Sequence, residues 1–85
     1  MSADNGIYIA KFPDGYRVCY GSAIDNLTYY PAGTIERKSE LRSYFGQSPV
    51  FESRSQAVLE ADMISRGYDV LEHGIQYIGE FEWFY

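Results

Sequence analysis

The sequence predicts a small α+β domain: an antiparallel β-sheet of three to four strands with one α-helix packed on one face, in the order β-β-β-α-β. Three observations predict it. Two strand-like runs flank Pro13-Asp14-Gly15, a capped helical pattern begins at Ser53, and an alternation of side chains runs over residues 75–85. The 85 residues suit one domain, 1–85, and a chain this short buries only about 60–65% of its unfolded surface.

Asn5-Gly6 signals a turn, and Ile7-Tyr8-Ile9-Ala10-Lys11-Phe12 follows with β-branched and aromatic residues. Pro13-Asp14-Gly15 supplies turn chemistry, and Tyr16-Arg17-Val18-Cys19-Tyr20 resumes the strand pattern, so the two runs form a hairpin. Residues 21–40 read as a long connection, with Pro31 excluding a central strand. A third strand is expected over about 43–51, with Gly46 as a bulge and Pro49 at an edge.

Ser53-Arg54-Ser55-Gln56 fits a capping box. Ala57, Ala61, Ile64 and Tyr68 then recur at helical spacing, with Val58 widening the stripe and Gly67 ending it, which predicts a helix over 54–66. In the last segment Ile75, Tyr77, Gly79, Phe81, Trp83 and Tyr85 alternate with Gln76, Ile78, Glu80, Glu82 and Phe84. Period-two patterning predicts a strand whose odd set faces the helix and whose even set, including Glu80 and Glu82, lies on an open face.

Charge is uneven along the chain. Lys11, Arg17, Arg37, Lys38 and Arg42 balance Asp4, Asp14, Asp25, Glu36 and Glu40 in residues 1–42. Residues 43–85 hold Arg54 and Arg66 against Glu52, Glu60, Asp62, Asp69, Glu72, Glu80 and Glu82, so the net charge of −5 lies in that half. Such a surface repels phosphate, which argues against direct nucleic-acid binding. The basic stretch 36–42 carries its own acids and reads as a solvated loop or turn. Aromatic residues make up 18% of the chain, enough to fill a small core and leave some Tyr on a binding face.

Catalytic patterns are absent. One Cys (Cys19) and one His (His73) make neither a disulfide nor a Cys/His metal site, so no cofactor or metal is expected. Cys19 has no charged neighbour in sequence and reads as a small apolar residue. Glu72-His73-Gly74 reads as a turn or cap, and Glu80 with Glu82 as solvated acids, so the protein is not expected to be an enzyme. No apolar run approaches the roughly 18 residues of a membrane span, which predicts a soluble, cytoplasmic protein without membrane contact.

Ser2-Ala3-Asp4-Asn5-Gly6-Ile7-Tyr8-Ile9 resembles the opening of a family of small uncharacterised proteins from tailed bacteriophages and prophages. Arg17-Val18, Ala23-Ile24-Asp25-Asn26, Tyr44-Phe45-Gly46-Gln47-Ser48, Val50-Phe51 and Glu72-His73-Gly74-Ile75 continue the resemblance in order over most of the chain. It departs at Tyr20 and Ser22, where the family pattern has His and Gln. The resemblance implies a phage or prophage origin and a location in the host cell; it implies no activity.

These readings together predict a phage-encoded acidic binding protein that inhibits or redirects a host factor, such as a nucleic-acid-handling enzyme or a defence system of the CRISPR kind. The expected contact residues are Glu72, Glu80, Glu82, Trp83, Phe84 and Tyr85. One alternative is sequestration of a small nucleotide ligand by Arg17, Tyr20, Arg37 and Arg42 around a Tyr-lined pocket. Another is an accessory or structural phage protein without enzymatic activity. Ile78 and Phe84 on an outward face would form an apolar patch, which a homodimer is the simplest way to cover.

Overall fold

The computed structural model describes residues 5–22, 29–68, 71 and 73–82. It is a small α+β arrangement with a three-stranded mixed sheet and two helices, in the order β1 (Asn5–Phe12), β2 (Gly15–Ser22), α1 (Ile35–Phe45), α2 (Arg54–Ser65) and β3 (Ile75–Glu80). The strand order is β2-β1-β3. β1 is antiparallel to β2 and parallel to β3, so the sheet is mixed where the sequence predicts an antiparallel one.

The hairpin forms as its turn chemistry requires, with Phe12 opposite Gly15 and Asn5 opposite Ser22. Gly15 has φ +140°, and a Cβ there would lie 2.6 Å from Val50 Cγ1 and 2.7 Å from the Phe51 carbonyl oxygen. Glycine is therefore required twice, by its backbone and by the segment packed on it. That segment closes the outer edge of β2. Tyr16 and Phe51 exchange two backbone hydrogen bonds of 2.8 Å, and the Val18 N–H donates to Ser48 Oγ at 3.0 Å.

β1 is the middle strand and is buried on both faces. Tyr8, Ala10, Phe12 and Cys19 pack with Leu41 and Phe45 of α1 and with Phe81. Ile7, Ile9 and Val18 pack with Ala57 and Ala61 of α2, flanked by Tyr16, Phe51, Ile64, Leu71 and Tyr77. The sheet thus has a helix on each face, and the open face expected from one helix does not exist.

α1, absent from the sequence expectation, takes the place of the loop expected at 36–42 and of the start of the strand expected at 43–51. Thr34 caps it, its hydroxyl accepting from the Arg37 N–H at 3.2 Å, with Glu36 in the first turn and Arg42 in the last. Those charges match the helix dipole. Leu41 and Phe45, four residues apart, are its two buried anchors, and Phe45 meets Phe12 edge to face at 5.4 Å. Of the expected strand only Phe51 pairs, through a single bridge to Tyr16.

α2 forms where expected, and both hydrogen bonds of the Ser53–Gln56 capping box are present. Tyr68 lies past its end, stacked on Tyr20 at 4.1 Å. Val58 is exposed and does not widen the buried stripe.

β3 begins with the expected alternation and then breaks it. Ile75 and Tyr77 align with Ile7 and Ile9, but the register shifts there, and Ala10 pairs with Gly79. Gly79 has φ +111°. The extra residue of this bulge reverses side-chain parity. Ile78 packs against the α1-side cluster and Phe81 becomes part of it, whereas strict alternation would put Phe81 on the α2 side. Ile78 is therefore half-buried and not part of an exposed patch. Residues 83–85, which complete the expected strand, lie outside the described residues.

Candidate functional site

The acids expected to form an unopposed ribbon are already opposed. Glu80 lies beside Lys11, its partner across the strand pair, with Nζ to Oε1 at 3.5 Å. Glu82 Oε1 stands 3.2 Å from Arg37 Nε and accepts from the Gly33 N–H at 3.4 Å. Arg37 also donates from Nη1 to the Tyr30 carbonyl at 3.1 Å and lies over the Phe81 ring at 4.9 Å. Two residues assigned from sequence to different sites, Arg37 and Glu82, thus hold each other. The bulge explains it: with Phe81 turned to the α1 side, Glu82 comes within reach of Arg37 on α1. Glu72, Trp83, Phe84 and Tyr85 lie outside the described residues.

The alternative ligand set is not assembled either. Arg17 is buried, pairs with Asp14 at 2.6 Å, and lies over the Phe12 ring at 5.4 Å. Tyr20 accepts a hydrogen bond from Asn5 Nδ2 at 2.9 Å. It lines a shallow depression of about 330 Å³ with Tyr44, but no arginine lines that depression. Arg42 is exposed on α1. Tyr44 has its phenol pushed above the ordinary value by burial and then by Glu40, so it stays protonated at neutral pH. Cys19 is buried on β2, and burial pushes its thiol up to about 12, so at neutral pH it is a thiol and a poor nucleophile. Among the described residues, no group of three or more His, Cys, Asp or Glu side chains is placed to hold a metal ion. None of the described helices is long and apolar enough to cross a membrane.

A different surface gathers several exposed apolar side chains. α2 turns Ala57 and Ala61 to the sheet, which leaves Leu59 and Met63 on an adjoining face, 65% and 67% exposed. The bridge between Tyr16 and Phe51 lays Val50, itself 44% exposed, beside that face. Val50, Phe51, Leu59 and Met63 line an open groove of about 490 Å³, together with Glu52, Gln56 and Glu60. Gln56 is occupied locally, its Oε1 accepting from the Glu52 and Ser53 N–H groups at 3.0 and 3.3 Å. Glu52 and Glu60 form no ion pair among the described residues, whereas Asp14, Asp62, Glu80 and Glu82 each have one. The groove is lined by apolar side chains and by two carboxylates.

Sequence reasoning missed this surface. Its signal was Leu59 and Met63, an i,i+4 apolar pair off the buried stripe of α2. The wall formed by Val50 depends on the bridge to β2, a contact across more than thirty positions. Comparison with known proteins finds no matching family model, no matching curated protein and no matching solved structure.

Proposed function

We propose that this chain is a small acidic binding protein without catalytic chemistry of its own, and that it docks a protein partner on the groove between α2 and residues 50–52. One observation supports this above the others: large exposed apolar side chains line one groove with two carboxylates that form no ion pair among the described residues. Exposed apolar surface bordered by one sign of charge is a common form of interaction site, the apolar part giving affinity and the charge giving orientation and rate. The resemblance to small phage and prophage proteins extends the proposal: the partner is a host factor, and binding inhibits or redirects it in the host cytoplasm. The contact surface proposed here replaces the Glu80–Glu82 ribbon, whose carboxylates are engaged within the chain.

The test is capture from bacterial lysate on the immobilised protein, followed by a salt gradient. The expected result is one retained protein that elutes as salt rises. Once purified, that protein should form a stable complex with the chain in size-exclusion chromatography with light scattering. Retention of nothing at any salt would refute the proposal.

A further inference from the structure

We infer that the occupant of the α2 groove is a basic amphipathic helical segment of the partner, presenting two large apolar side chains one turn apart with Lys or Arg on either side. This rests on the docking function proposed above and specifies its partner.

Gln56, Leu59 and Met63 lie on one helix face at i, i+3 and i+7, and Glu60 lies beside them. The face spans about 10 Å at 1.5 Å per residue, which is two turns. A second helix meets such a ridge with side chains spaced three or four apart, the spacing at which its own residues share a face. Met63 is unbranched and adapts to differently shaped anchors.

Addition of a strand finds little foothold on this wall: Phe51 faces Tyr16 with both its N–H and its carbonyl, Pro49 carries no N–H, and the Glu52 N–H is taken by Gln56 Oε1 at 3.0 Å. Recognition therefore falls to side chains, which favours a helix laid in a groove over an added strand.

Charge decides between a foreign segment and a second copy. Glu52 and Glu60 line the groove and form no ion pair among the described residues, and the chain carries a net −5. Two copies meeting face to face on this groove would bring their carboxylates together. Lys or Arg flanking the apolar anchors would instead meet both carboxylates.

Selection from a random peptide library displayed on phage, against the immobilised wild-type chain, tests the inference. The most enriched peptide, made synthetically and fluorescently labelled, is then measured by anisotropy. Enriched sequences are expected to be rich in Lys and Arg, with large apolar residues at i and i+4. Leu59→Ser/Met63→Ser is expected to weaken binding at least about tenfold, the scale of losing central anchors. Glu52→Gln/Glu60→Gln is expected to weaken it about threefold, an effect that fades as salt rises. All four side chains are at the surface, and circular dichroism of each variant checks that the fold is kept.

The inference is overturned by no enrichment, by peptides without an excess of basic residues, or by equal affinity for wild type and Leu59→Ser/Met63→Ser. A wild-type dimer dispersed by Leu59→Ser/Met63→Ser would assign the groove to a second copy and overturn it as well. Its failure differs from failure of the docking function. If lysate capture yields a partner whose binding ignores Leu59 and Met63, only the helical occupant and its groove fall; if capture yields nothing, the function falls.

Discussion

Gly79→Ala isolates the bulge that turns the end of β3 toward α1. Gly79 has φ +111°, and a Cβ added there meets nothing within 4 Å. Space is therefore no obstacle, and the whole cost is conformational. A non-glycine residue in such a backbone region costs on the order of 1–3 kcal/mol. Stability of about 0.05–0.15 kcal/mol per residue amounts to roughly 4–13 kcal/mol for this chain, so the loss is a sizeable fraction. With a urea slope of about 1 kcal/mol/M, the unfolding midpoint should fall by about 1–3 M. Gly67→Ala is the control. Gly67 lacks a positive φ, and the nearest atom to an added Cβ is the Ile64 carbonyl oxygen at 3.4 Å. That change should stay within about 1 kcal/mol. Urea unfolding followed by far-ultraviolet circular dichroism measures both. Equal midpoints for the two variants would refute the bulge and with it the reversed parity of Phe81.

Three further outcomes are expected. Phe45→Ala removes a fully buried ring that meets Phe12 edge-on, and should cost about 3–5 kcal/mol in the same urea experiment, leaving a shallow or absent transition. A double-mutant cycle on Arg37→Ala and Glu82→Ala should give a coupling of about 0.5–1 kcal/mol, modest because Glu82 is partly solvated; a coupling indistinguishable from zero would detach the segment after β3 from α1. Cys19 should resist Ellman's reagent in the native protein at neutral pH and react on unfolding. Because its thiol is raised from 9.0 to about 12 on folding, the folded state holds the proton more tightly. The resulting stabilisation is full below pH 9 and is lost as pH rises toward 12, so the stability gap between wild type and Cys19→Ala should narrow across that interval.

Local rules account for the parts of the fold that can be read from the chain. Pro13-Asp14-Gly15 specifies the hairpin, and Ser53 with Gln56 specifies the start of α2, because each acts over four residues or fewer. α1 was hidden for a physical reason. Ile35 is exposed and only Leu41 and Phe45 are deeply buried, so the helix has a narrow apolar stripe. Tyr44-Phe45 and Val50-Phe51 around Gly46 imitate a bulged strand, and the Thr34 cap is the local feature that favours a helix. The parallel pairing of β1 with β3 is a long-range choice that no window of sequence contains. Alternation marks a strand that forms over Ile75–Glu80, yet the bulge at Gly79 moves Phe81 from the α2 side to the α1 side.

The candidate site divides in the same way. Acidity of the second half is legible as a count, but which acids are matched is not. Glu82 meets Arg37 across the fold, and Glu80 meets Lys11 on the neighbouring strand. Among the described acids of the second half, Asp62 pairs with Arg66, which leaves Glu52 and Glu60 without an ion pair, beside apolar side chains that the buried stripe of α2 does not use. Arg17 and Arg37, two members of the alternative ligand set, are paired with Asp14 and Glu82.

Amide chemical-shift mapping of the isotopically labelled chain, titrated with the captured partner or its binding segment, tests the docking surface most directly. The expected perturbations concentrate at residues 50–52 and 56–63, leaving the α1 side nearly unmoved. Perturbations centred on α1 and residues 75–82, with Leu59 and Met63 unchanged, would contradict the account.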